Sequence, residues 1–349
     1  MKKTTLLLST FLLFLFLAPV ATLKAEEEGN FQFELPIEGA TGFASVKMDL
    51  IENPYSDTKT VVETLKPGTA FTIKGESEYY FFVDVIAEEW EKVGWVKKDL
   101  TFINLPDIIP SIVYYDSNSD SSLFRSSGIV LPDITGNQLY DCYLYNPRFQ
   151  KKQYVMPVIY DMACKIMKAQ QAALNEGNSL KIYETYRPHS VQVKVSSTLA
   201  NLMSSNPQVN QGISSWGRGW FIATGYSNHQ RGKAMDVSLV GVNSMTKYST
   251  GNCEYYEVDT YEEYSMPSPM HELSTQAVTF KYGVSRDNWK GTPLSKGMEE
   301  SKGAKLLQKY CTNAGLTPLA SEWWHFDDNE CSSNCDGDFY ITECVSETP

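Results

Sequence analysis

Ser227-Asn228-His229-Gln230-Arg231-Gly232-Lys233-Ala234-Met235-Asp236 and Glu322-Trp323-Trp324-His325 are the two stretches around which the chain organises. Together they hold two imidazoles, one carboxylate and a spare glutamate. A catalytic zinc site needs three N/O ligands, an open fourth position and a nearby base. The chain has four histidines, and two fall inside these stretches, which weakens coincidence as an explanation. On a helix, His229 and Asp236 would stand about 10 Å apart along the axis, too far to share one ion. A turn must fold them together, and Gly232 is the residue that permits it. Asp236 then opens a strand. Glu322 and His325 are three apart, which on a regular strand points them to opposite faces. If both serve one site, Glu322 sits in the turn and His325 on the strand proper, with Trp323, Trp324 and Phe326 excluding water. Each stretch alone could be a strand with an incidental histidine, but the pair is hard to explain that way.

Upstream, Leu180 to Tyr186 alternates as a strand, and Arg187-Pro188 starts a helix striped by Val191, Val195, Leu199 and Leu202. An earlier helix is expected from Pro157, a favoured first-turn residue, with Ile159, Met162, Ala163, Ile166, Ala169 and Ala173 on one face. A loop rich in Gly, Ser and Trp runs from Gln211 to Gly225. Residues 241–300 are polar and Tyr-rich with weak periodicity, and read as an insertion. A last helix is expected over Lys302 to Ala314, stopped by Gly315. Helices and strands are interspersed without a regular βαβ repeat, so the fold class is α+β.

Residues 40–104 read differently, as short strands broken by turns such as Lys66-Pro67-Gly68-Thr69. Tyr80 to Ile86 is aromatic and β-branched, and Gly94-Trp95-Val96 closes the stretch. This pattern resembles bacterial SH3-like modules, which implies a small β-barrel that contacts the cell wall or decorates an enzyme. A β-module with no ligand fits the residues equally well.

Lys2 and Lys3 precede an apolar run from Leu6 to Val20, the pattern of a secretory signal, with cleavage after Ala21 or Ala25. The run is short for a membrane span and contains Pro19. Export is therefore expected, with residues 1–25 removed and the net charge going from −12 to −15. So acidic a chain repels phosphate backbones, which argues against nucleic acid as a partner. Of the seven cysteines, Cys164 and Cys311 lie in helical patterns as small hydrophobes. Cys331, Cys335 and Cys344 suit a disulfide staple better than a zinc knuckle, which lacks a fourth ligand at a familiar spacing.

The order Tyr186-Arg187-Pro188 with Gln192, then Ser227-x-His229-x-x-Gly232-x-Ala234-x-Asp236, then Glu322-Trp323-Trp324-His325 resembles the zinc D-alanyl-D-alanine carboxypeptidases and dipeptidases. The resemblance spans roughly Leu105 to Phe326 and implies a catalytic domain over 105–349 with a central antiparallel sheet and flanking helices. It implies one zinc ion on His229, Asp236 and His325, with Glu322 as catalytic base and Arg187 stabilising an oxyanion. Ser227 and Gln192 are implied substrate contacts. The expected reaction is release of the terminal D-Ala from peptidoglycan stem peptides by a secreted or wall-associated enzyme. A D,D-dipeptidase, an L-Ala–D-Glu endopeptidase and a non-catalytic wall-binding protein are the alternatives. The long stretch between Asp236 and Glu322 departs from the resemblance and leaves substrate choice open. Within it, His271-Glu272 lacks the second histidine of His-Glu-x-x-His, so His271 either lines the pocket or lies in a surface loop. His189, in a first helical turn, is expected to be solvated.

Overall fold

Strict alternation makes residues 80–85 a strand: Phe81, Val83 and Val85 are buried while Tyr80, Phe82 and Asp84 face outward. This strand belongs to a set of seven, β1 (Thr41–Ala44), β2 (Met48–Ile51), β3 (Val61–Leu65), β4 (Ala70–Glu76), β5 (Tyr80–Val85), β6 (Lys92–Lys97) and β7 (Thr101–Asn104). The computed structural model describes residues 32–85, 92–115, 118, 139–213 and 216–331. The expected signal segment, most of the 105–139 connector, and Cys335 and Cys344 with their expected staple lie outside the described residues.

Further along come β8 (Val113–Tyr114), β9 (Tyr143–Asn146), β10 (Lys151–Tyr154) and β11 (Pro157–Ile159), then helix α1 (Tyr160–Leu174) and β12 (Asn178–Glu184). Helices α2 (His189–Ser205) and α3 (Pro207–Ile213) lead to the long strands β13 (Ala234–Thr250) and β14 (Cys253–Glu263). Helices α4 (Lys296–Glu300) and α5 (Lys302–Asn313), then β15 (Thr317–Leu319) and β16 (Glu322–Asp327), complete the described chain. None of its helices is long and apolar enough to cross a membrane.

Two large sheets and the β9–β10 hairpin organise these elements. The first runs β11-β7-β1-β4-β5-β6-β2-β3, and the second β15-β16-β13-β12-β8 with β14 on β13. Every pair in them is antiparallel except β12 with β8. Helices and strands mix as the α+β reading requires, and the apolar faces of α1 and α2 are buried as their stripes predict.

Three elements depart from the sequence reading. Pro157 opens a strand, not a helix: β11 pairs with β7, Pro157 lying opposite Asn104. It is the end strand of its sheet, where a missing N–H leaves no ladder bond unmade. Through β11, residues 41–104 share a sheet with a later part of the chain, and the described residues from Gln32 onward cluster as one compact unit. The polar stretch after Val240, whose weak periodicity predicted no element, begins as a strand, because β13 continues to Thr250 and returns as β14. Cross-strand pairs such as Thr246 Oγ1 with Asp259 Oδ2 at 2.5 Å replace apolar burial there. Residues 207–213, where the expected loop begins, form the short helix α3.

Candidate metal centre and catalytic cleft

The site begins with a turn. Arg231 N and Lys233 N both donate to Asn228 O, at 3.2 and 3.0 Å, and Gly232 N donates to His229 O at 3.0 Å. Gly232 takes φ +62°, and a Cβ on it would drive deep into the Phe102 ring. Its carbonyl accepts from Ile159 N at 2.8 Å, which ties the turn to β11. Gly232→Ala is expected to cost at least about 2 kcal/mol from the left-handed backbone and the clash together. An unfolding midpoint in urea that matches the wild type would contradict this.

Asp236, in β13, lies directly opposite His325 in β16, so both side chains leave the sheet on one face. Glu322 reaches the same cavity through an irregularity. Between the pairs Leu319–Glu322 and Pro318–Phe326, β15 advances one residue while β16 advances four. This wide bulge re-aims the strand, so that Glu322 Oε2 comes 3.8 Å from His325 Nδ1. Glu322 thus stands at the start of β16 itself, not in the preceding turn.

The three expected ligands meet at one point. His229 Nε2 lies 3.2 Å from His325 Nδ1. Asp236 Oδ1 lies 3.0 Å from His325 Nδ1 and 3.4 Å from His229 Nε2. Tetrahedral coordination with bonds of about 2.0–2.1 Å puts ligand atoms about 3.3 Å apart, so the donors are spaced as the edges of such a site. Their far sides are engaged as metal-binding histidines require. His229 Nδ1 faces Thr185 O at 2.6 Å and His325 Nε2 faces Asp327 Oδ1 at 3.0 Å. Asp327 is itself held by Asn228 Nδ2 at 2.9 Å and by Arg286 Nε at 2.5 Å. The donor set and its spacing fit a single zinc ion.

Burial and neighbouring charge set the protonation of these groups against one another. Burial alone would raise the Asp236 carboxyl, but His229, His271 and His325 outweigh it and hold it well below the usual carboxylate range. Burial disfavours charge on His325 too, yet Asp327 and Asp236 raise its pKa to about 10. Burial pushes Glu322 up to about 8, against the pull of His325. With its pKa raised by Asp327 and Asp236, His325 favours the doubly protonated ring at neutral pH, and a metal on Nδ1 would have to displace one of those protons. Zinc affinity is therefore expected to rise about tenfold per pH unit from pH 6 to pH 8, with about one proton released. Calorimetric titration in buffers of different ionisation enthalpy reads both quantities, and a flat profile would refute the expectation.

Among the described residues a second group, Glu184, Asp236 and His271, also brings three donors together. Here the cation is already present. Arg187 donates from Nε to Glu184 Oε2 at 3.0 Å, pairs with the same carboxylate through NH2, and lies 3.6 Å from Asp236 Oδ2. A metal beside that guanidinium would meet like charge at contact distance in a buried setting. Arg187 thus pairs with Glu184 and also lines the cleft.

The cleft has a volume of about 630 Å³, and all seven expected site residues line it: Arg187, Gln192, Ser227, His229, Asp236, Glu322 and His325. Gln192 has both amide ends engaged within the protein, accepting from Arg187 NH1 at 2.7 Å and donating to Ala223 O at 2.8 Å. Ser227 Oγ accepts from Gln230 N at 3.3 Å. Trp324 also lines the cleft, while Trp323 is buried and donates to Ser268 Oγ at 3.0 Å. His271 belongs to the cleft and not to the surface, with Nε2 3.0 Å from Asp236 Oδ2. His189 is half-buried: its ring stacks on the exposed Tyr226 at 4.7 Å and Nδ1 faces Gln230 Oε1 at 3.1 Å. Asp327 and Arg286 carried no signal in the sequence, because their roles arise only through His325. Away from the cleft, burial pushes the Cys164 thiol up to about 12, which leaves it inert as a nucleophile.

The Peptidase_M15 family, described as D-Ala-D-Ala dipeptidase, matches residues 130–336. The chain belongs to this peptidase family. It is similar to the D-alanyl-D-alanine dipeptidase of Enterococcus faecium, with 23% identity over 175 residues, covering 48% of this chain and 70% of the relative. Among solved structures it matches VanYB in complex with D-Alanine-D-Alanine at 14% identity, with 59% of this chain and 85% of that one covered and a TM-score of 0.27. It also matches the LdcB LD-carboxypeptidase at 17% identity, over 64% and 79% of the two chains, with a TM-score of 0.26.

Proposed function

We propose that this peptidase is an exported zinc-dependent D-alanyl-D-alanine carboxypeptidase that releases the terminal D-Ala of peptidoglycan stem peptides. The observation that carries the reading is the convergence of Glu322, Arg187 and the His229–Asp236–His325 set on one cleft. Zinc held by those three residues would polarise a peptide carbonyl and make water more acidic. Glu322 stands beside the ligands, where its raised pKa would be drawn down by the charge of zinc, freeing it to accept a proton. Its burial favours the protonated form once the proton arrives, and the same carboxyl can hand that proton to the departing amine. Arg187 is fixed by Glu184 and Gln192, so its charge is in place before the carbonyl oxygen becomes negative, with no reorganisation during the step. Ser227, which lines the same cleft, would meet the substrate carboxylate, and Gln192 would act by orienting Arg187.

A cleft of about 630 Å³ is in the range that encloses drug-sized ligands, which favours a stem peptide over a bare dipeptide. The second reading is a D,D-dipeptidase, favoured by the description of the matching family and by the name of the Enterococcus relative. Lys2, Lys3 and the apolar run after them support export. The antiparallel strands of residues 41–104 are compatible with an SH3-like module that contacts the wall.

The test incubates the zinc-loaded protein with pentapeptide stems and with free D-Ala-D-Ala, and identifies products by mass. Tetrapeptide plus D-Ala supports the carboxypeptidase. Cleavage of the free dipeptide alone supports the dipeptidase, and cleavage after L-Ala supports an endopeptidase. Unchanged turnover after chelation would overturn the metal assignment.

A further inference from the structure

His271 lies in Met266-Pro267-Ser268-Pro269-Met270-His271-Glu272, between the two ligand-bearing stretches and part of neither. It is buried, and its backbone takes φ +59°. A non-glycine residue in that conformation is uncommon, although histidine adopts it more readily than most, and such positions cluster at functional sites. The surroundings here are specific. Trp323 Nε1 holds Ser268 Oγ at 3.0 Å. Thr275 N donates to Gly212 O at 2.9 Å. The Trp324 ring meets the imidazole edge-on, with centroids 5.9 Å apart. This anchoring sets His271 Nε2 3.0 Å from Asp236 Oδ2. An ionised carboxylate only accepts, so Nε2 carries the proton.

Asp236 thus has its two oxygens divided. Oδ1 faces His325 Nδ1 and His229 Nε2. Oδ2 faces His271, with Arg187 farther off at 3.6 Å. We infer that His271 is a positioning residue of the metal centre, holding Asp236 Oδ2 so that Oδ1 alone is presented to the ion. The inference rests on the metal reading proposed above and adds a residue from the intervening segment to it. Without this bond the carboxylate can rotate or present both oxygens, which changes affinity and coordination number together. The segment that departs from the family pattern would in this way be built into the metal centre as well as the cleft.

The test compares wild type, His271→Asn and His271→Gln as full chains. Asn tolerates the left-handed backbone but is too short to reach Oδ2, whereas the Gln amide can donate at nearly the same distance. Zinc affinity is measured by competition with a chromogenic chelator, and coordination by the visible spectrum of the cobalt form. Metal content per chain and thermal unfolding of the metal-free proteins are measured alongside. His271→Asn is expected to lose about 10–100-fold in zinc affinity and to alter the cobalt spectrum while unfolding as a metal-free protein near the wild-type temperature. His271→Gln is expected to recover most of the affinity and the spectrum. Zinc binding by His271→Asn within twofold of wild type overturns the inference while leaving the metal reading intact. Two ions per wild-type chain would also overturn it, making His271 a ligand. A wild type that binds no zinc would remove both readings at once.

Discussion

Glu322→Gln lowers kcat on a D-Ala-D-Ala-terminated peptide by about 10²–10⁴, the range a positioned general acid–base supplies. Gln keeps the shape and the burial of Glu322 but cannot take up a proton from water or return it to the amine. Glu322 is not one of the three donors that meet at the metal point, so zinc affinity should stay within a few-fold of wild type. That split between turnover and metal binding is the signature of a base, and a parallel loss of both would show that Glu322 instead maintains the centre. The same variant makes a second measurement possible. In the metal-free protein the Glu322 carboxyl is raised to about 8, so the folded state holds its proton more tightly than the unfolded state does. Its contribution to stability is complete below the unfolded value and is lost as pH rises through the folded one. Metal-free wild type should therefore lose stability relative to Glu322→Gln between about pH 5 and pH 8.5, by on the order of 3 kcal/mol. Parallel stability–pH curves for the two proteins would refute this.

Arg187→Met is the other large effect, and it combines two losses. Glu184 would remain buried with Tyr140 Oη at 2.7 Å as its remaining charge-stabilising donor, and an uncompensated buried carboxylate costs about 3–5 kcal/mol. Turnover should also fall by about 10²–10³, as when one donor to a developing oxyanion is removed. The two effects separate in the double variant Glu184→Gln/Arg187→Met. Removing both charges should restore most of the stability, because the buried carboxylate no longer needs a partner, while turnover stays low. Recovery of activity along with stability would mean that Arg187 serves only to satisfy Glu184. Denaturant unfolding and kcat/KM on the four proteins of the cycle decide between these outcomes.

Several parts of this molecule were legible from residue types alone. The His229–Asp236 turn needed a residue that accepts positive φ, and Gly232 is that residue. The stripes of α1 and α2 fixed which faces are buried. The edge position of Pro157 was not legible, because whether a proline starts a helix or an end strand depends on a partner, here Asn104, far upstream. The β13–β14 ribbon was missed because its outer half is held by cross-strand polar pairs, which leave no apolar period to read.

The sequence by itself determined the donors: two imidazoles, one carboxylate, a glutamate and an arginine, with a glycine where the chain must turn. These follow from what each side chain can chemically do, which needs no partner to be known. The tertiary structure alone decided how they face one another. The bulge in β16 brings Glu322 to the side of His325, Asp327 fixes which nitrogen of His325 points inward, and His271 closes on Asp236 from a segment with no motif. Each of these depends on strand register and side-chain direction across residues distant in the chain, and local pattern does not encode them.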